Sequence, residues 1–157
     1  MFDSIDGSLS KRPEVKIDPS KIEFSSTGQL KLKQMTLLEN LKLEVDLFIP
    51  KKDHKLFLTI ATPLLPKIKR LGYEKACVET VQGKSVWFSL HFAGDITIYF
   101  EVYIKPGRGC SRDRAFFTIW KGKGHGQSAV MLTNGYGGIK DCLSDIRANL
   151  KRLKCSL

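Results

Sequence analysis

The 157-residue sequence predicts an α+β fold: a two-layer sandwich in which a four- to five-stranded antiparallel sheet carries two helices on one face. Three observations predict it. Apolar residues alternate strictly through 85–92 and 96–105, they recur at three- and four-residue steps through 53–72, and they form one clean stripe through 139–153.

The strands come first, because they fix the register. In 85–92, Val86, Phe88, Leu90 and Phe92 share one face and Trp87, Ser89 and His91 the other. In 96–105, Ile96, Ile98, Phe100, Val102 and Ile104 alternate with Thr97, Tyr99, Glu101, Tyr103 and Lys105, and the β-branched and aromatic enrichment favours strand over helix. A one-residue slip would turn every core side chain outward. Keeping Phe92 and Ile96 both inward makes 93–95 a three-residue turn and sets His91 opposite Thr97, Ser89 opposite Tyr99 and Trp87 opposite Glu101. The same reasoning makes 82–84 the preceding turn, with Val78 opposite Phe88 and Glu79 opposite Trp87. Strands are expected at 76–81 and 115–120, the latter sending Phe117 and Ile119 inward, and a fifth at 129–133.

The helices follow. Asp53 is the expected cap of a helix over 53–72, restarted at Thr62-Pro63 and closed by a left-handed Gly72. The last helix is expected from 139 to 153, with Ile139, Leu143, Ile146, Leu150 and Leu153 as its stripe and acidic and basic residues placed to suit its dipole. Residues 36–49 carry two patterns. Thr36 and Glu39 form a capping box, while Leu41, Leu43, Val45, Leu47 and Ile49 alternate, so the expectation is a short helix at 36–40 followed by a strand at 41–49. Residues 1–28, rich in Asp, Ser, Lys, Pro and Gly, read as a flexible or extended arm, and 29–157 as one domain.

Charge and cysteines bound the function. There are 26 Lys and Arg against 16 Asp and Glu, a formal +10. Residues 1–50 are about neutral, whereas 101–157 hold eleven basic residues against four acidic. That gradient favours a polyanionic partner. The four cysteines have no zinc-ligand spacing, so no metal is expected. With no secretory leader and no apolar run of spanning length, an intracellular or cytoplasmic protein that is not in a membrane is expected.

The second face of the sheet is expected to present Trp87, Tyr99, Tyr103, Phe116 and Trp120. Exposed rings that stack on bases, together with cations that track phosphates, are how single-stranded nucleic acid is held. The cations expected near this face are Lys105, Arg108, Arg112 and Arg114 in one inter-strand loop and Lys121 and Lys123 after the last of these strands. The sequence therefore reads as a nucleic-acid-binding protein with no cofactor. The alternatives are that the first fifty residues cover the face, or that it forms a homodimer or other protein interface. The glycine-spaced stretches 121–126 and 134–138 match neither phosphate-loop pattern and read as a hairpin loop and a strand-to-helix turn. An enzyme is the lesser expectation. It would be a magnesium-dependent nuclease built on Glu79, Asp95, Glu101 and Lys105, but Asp95 and Glu101 lie six residues apart, ~20 Å along a strand. The three histidines form no catalytic constellation.

Overall fold

The computed structural model describes residues 22–24, 30–32, 35–107, 111–123 and 128–155. The chain divides into two compact units, Met1–Thr36 and Leu37–Leu157. In the first, strands β1 (Ile22–Phe24) and β2 (Leu30–Leu32) pair antiparallel, with Ile22 opposite Leu32. Most of the expected arm at 1–28 lies outside the described residues.

The second unit runs α1 (Leu37–Phe48), a 3₁₀ turn (Lys51–Asp53), α2 (His54–Ala61), α3 (Leu64–Lys69), β3 (Lys75–Val81), β4 (Ser85–Phe92), β5 (Ile96–Tyr103), β6 (Arg114–Lys121), β7 (Val130–Gly138) and α4 (Ile139–Cys155). The strands form one antiparallel sheet in sequence order, a five-stranded meander. This is the α+β architecture that the alternation predicts, with four α-helices among the described residues. No helix among them is long and apolar enough to cross a membrane.

The register is the one that core-face matching requires: Val78 pairs with Phe88, Glu79 with Trp87, Trp87 with Glu101, Ser89 with Tyr99 and His91 with Thr97. The two hairpin turns hold it. Gly94 at φ +80° and Asp95 at φ +58° turn β4 into β5, and Gln82 at φ +50° begins the turn from β3 to β4. Phe57, Phe88, Phe100 and Phe117 are fully or almost fully buried. Phe88 and Phe100 stack with centroids 6.2 Å apart. Each such ring contributes roughly 1.5–3 kcal/mol of burial.

Residues 41–49 are not a strand. The whole of Leu37–Phe48 is helical, with Leu41 and Val45 buried in the core. The segment is almost entirely Leu, Glu, Lys and Asn, Asp or Phe, with Val45 its only β-branched residue, so propensity favours helix and the alternation is incidental. Helix α1 lies along β3, the edge of the sheet. Asn40 Oδ1 accepts from the Val78 N–H at 2.9 Å and Glu44 Oε1 from the Thr80 N–H at 3.0 Å. These two donors point away from β4, so α1 supplies the pairing that a further strand would have made.

Asp53 does not cap α2 through its side chain. Its carboxylate instead accepts from Lys105 Nζ at 3.1 Å. The expected break at 62–63 is present: Thr62 N–H closes α2 on the Leu58 carbonyl, Pro63 immediately precedes α3, and Gly72 takes φ +87°. Helix α4 buries Cys142, Leu143, Ile146 and Leu150 and packs on β6 and β7.

Residues 134–138 are not a turn but the second half of β7, paired through Gly135, Gly137 and Gly138 to β6. Gly135 lies directly opposite Phe117, and a Cβ there would sit 2.5 Å from the Phe117 ring. The glycine is required by packing, since the ring occupies the space that a side chain would need.

Candidate functional site

The helices bury their stripes in one continuous core with the inward positions of the sheet. The opposite face is read from the pairing, row by row. Glu79, Trp87, Glu101, Phe116 and Tyr136 form one row across all five strands. Cys77, Ser89, Tyr99, Thr118 and Asn134 form the next, and Lys75, His91, Thr97, Trp120 and Met131 the third. A register shift between Ile119 and Trp120 sets the last pairing. The five rings expected on this face are all on it, each partly exposed.

Two ring contacts organise them. Trp87 and Tyr99 are tilted with centroids 5.5 Å apart, and Tyr103 and Tyr136 with centroids 6.3 Å apart. Tyr136, 53% exposed, is a sixth ring of the face and was missed because its strand read as a glycine turn. The alternation of Asn134 and Tyr136 with Gly135 and Gly137 is the signal that could have found it. Side-chain hydrogen bonds also lie on the face. Trp120 Nε1–H donates to Thr118 Oγ1 at 2.9 Å, and Thr97 Oγ1 and His91 Nδ1 are hydrogen-bonded at 3.3 Å.

The charges sit at the two ends of the strands. Arg112 and Arg114 are exposed at the start of β6, and Lys121 and Lys123 are exposed at its far end, ~23 Å away at the strand rise. Arg108 lies outside the described residues, as do Gly124, His125 and Gly126. Lys105 is at the Arg114 end, but its ammonium is paired with Asp53. The pair is partly exposed, so it contributes only ~0–1 kcal/mol. It nonetheless ties one expected phosphate contact to the helical layer. Lys75, exposed on β3 beside His91, adds a cation at the Lys121 end.

The acidic candidates do not share a centre. Asp95 is in the β4–β5 turn, where its carbonyl accepts from the Gly122 N–H at 3.0 Å. Glu101 is at the other end of β5, and Glu79 is separated from it by Trp87. Among the described residues no group of three His, Cys, Asp or Glu side chains is placed to hold a metal ion. Glu101 and Lys105 do come together, lining a cavity of about 230 Å³ with Gln82, Lys84, Ser85 and Tyr103. In it Ser85 Oγ, almost fully buried, donates to Glu101 Oε2 at 2.6 Å. At the opposite end a shallow depression of about 490 Å³ is lined by Glu74, Lys75, His91, Asp95 and Thr97 among others.

Both described free thiols are accounted for. Cys77 is exposed on the aromatic face, and Cys142 is buried under α4. Burial, and after it the charges of Asp145 and Asp141, push the Cys142 thiol above its ordinary value, partly offset by a hydrogen bond from the Gly137 backbone. No family model, curated protein or solved structure matches the chain.

Proposed function

We propose that this protein binds single-stranded nucleic acid across the aromatic face, with bases over the rings and phosphates at the basic strand ends. The observation that carries the reading is the placement of Trp87, Tyr99, Tyr103, Phe116, Trp120 and Tyr136 together on the face that lies opposite the core. Glu79 and Glu101 flank Trp87. Carboxylates there repel phosphate from that row of the face, while Lys75, Lys121 and Lys123 at one end and Arg112 and Arg114, beyond the row at the other, attract it. The pattern favours a strand whose bases point into the face and whose backbone is anchored at its margins.

Titration of labelled single strands at several salt concentrations tests it. Affinity should fall linearly in log–log against salt, with quenching of tryptophan emission. In a Trp87→Ala/Trp120→Ala variant, loss of stacking at ~1–3 kcal/mol per base should weaken binding by at least tenfold. Undiminished affinity in that variant, or salt-independent binding, would refute the proposal.

A second reading, a protein interface or homodimer on this side of the sheet, is favoured by Val130, Met131 and Leu132. These three consecutive residues of the outer strand are 64%, 43% and 43% exposed. Sedimentation separates the two: a concentration-dependent dimer with protected tryptophans and no strand binding supports the protein interface.

A further inference from the structure

We infer that the cavity at the Glu101 end of the aromatic face is a base pocket that selects guanine, an inference that rests on the nucleic-acid reading and adds the base it prefers. The cavity, about 230 Å³, is below the ~300–1,000 Å³ of sites for drug-sized ligands and suits one planar base. Tyr103 forms an aromatic wall, itself in contact with the Tyr136 ring. Glu101 is the only acid among its lining residues.

The state of that carboxylate is what points to guanine. Ser85 Oγ, 2% exposed, donates to Oε2 and fixes the orientation of the group. Of the two cations in the lining, the Lys105 ammonium is held by Asp53 at 3.1 Å. No donor of the described residues meets Oε1, and Oε2 retains a lone pair. An oriented, partly exposed carboxylate of this kind is an acceptor–acceptor pair awaiting two parallel donors.

Among the bases, guanine alone presents two donors side by side, N1–H and N2–H. Adenine and cytosine each present one amino group beside a ring acceptor, and thymine and uracil present one N–H between carbonyls. Gln82 and Lys84, also in the lining, carry donors suited to the guanine O6. Lys84 and Arg114 are at the same end of the sheet, where the flanking phosphates would pass.

The test compares oligothymidine strands bearing one central dG, dA, dC or deoxyinosine with the unsubstituted strand, by fluorescence anisotropy. A single guanine in a thymidine background avoids quadruplexes. The single dG should tighten binding by about tenfold, the scale of one good bidentate contact, and inosine, which lacks the N2 amino group, should lose most of that gain. In Glu101→Gln the ratio of dG to dT affinity should fall close to one. If this variant does not fold, the inosine comparison in the wild-type protein decides alone. Equal affinity for all five strands, with salt dependence and quenching intact, would overturn the guanine pocket and leave the aromatic-face reading standing. A dG preference that survives in folded Glu101→Gln would also overturn it. No binding to any strand at low salt would overturn both.

Discussion

Helix α1 stands in for a missing strand, and removing its two acceptors should weaken the fold in a graded way. In Glu44→Ala the buried N–H of Thr80 loses its partner. An unsatisfied buried donor costs ~1–3 kcal/mol. In Asn40→Ala the N–H of Val78 is only partly buried, and the better helix propensity of Ala returns up to ~0.7 kcal/mol, so the net cost is near zero to ~1 kcal/mol. The double variant should lose about 2 kcal/mol of a total that for domains of this size is ~5–15. With a urea slope of ~1–3 kcal/mol/M, the midpoint should fall by ~1 M. Glu44→Gln keeps an acceptor at the same place and should lose less than half as much. Urea unfolding followed by tryptophan fluorescence measures the four variants against the wild-type protein. Sedimentation should also show concentration-dependent association of the double variant, because the β3 edge is opened. A Glu44→Ala midpoint equal to that of Glu44→Gln would refute the reasoning, because the hydrogen bond to Thr80 would then contribute nothing.

Other outcomes follow from the same geometry. Gly135→Ala must displace the Phe117 ring, 2.5 Å from the new Cβ, and should cost ~1–3 kcal/mol, whereas Gly137→Ala, with nothing within 4 Å, should be neutral or slightly stabilising in a thermal melt. Cys77 should react with an alkylating reagent in the native state and be protected by a bound strand, while Cys142 should react only on unfolding, as peptide mass mapping would show. Because the folded Cys142 holds its proton above the ordinary 9.0, its contribution to stability is fully present below that pH and is lost as pH rises beyond it, which melts of the wild-type and Cys142→Ala proteins between pH 8 and 10 would compare. Replacing Lys121 or Arg114 by Gln should lower the salt slope of strand binding by about one each without changing base preference.

Most of the sheet was legible because its two faces differ so sharply in chemistry. Once Phe92 and Ile96 must both point inward, the turn length follows, and with it every cross-strand pair of β4 and β5; the 82–84 turn does the same for β3 and β4. Two segments were misread for opposite reasons. Residues 41–49 satisfy both periods, and what decides between them is the run of good helix formers together with the donors on β3 that Asn40 and Glu44 reach. Residues 134–138 satisfy the strand period only if glycine is counted as an inward residue, which makes sense once the Phe117 ring is seen in the space. At the candidate site the five expected rings were readable from alternation alone. The engagement of Lys105 by Asp53 was not, because it joins residues 52 apart in sequence through the packing of a helical layer that no local pattern encodes. The union of Ser85 with Glu101 was likewise hidden, since these two residues are diagonal neighbours on adjacent strands.

The order of strands in the sheet also bears on how quickly the chain finds its structure. Every strand of the meander pairs with its immediate neighbour in sequence, so each hairpin closes a short loop and the entropy lost per step is small. Such a topology has a low contact order for a β-rich protein and should fold toward the fast end of that class. The bonds from α1 to β3, by contrast, span 38 and 36 residues. Docking of α1 is therefore the natural late event: mutations at Asn40 and Glu44 should accelerate unfolding and leave refolding almost unchanged, whereas those in the β4–β5 hairpin should slow refolding.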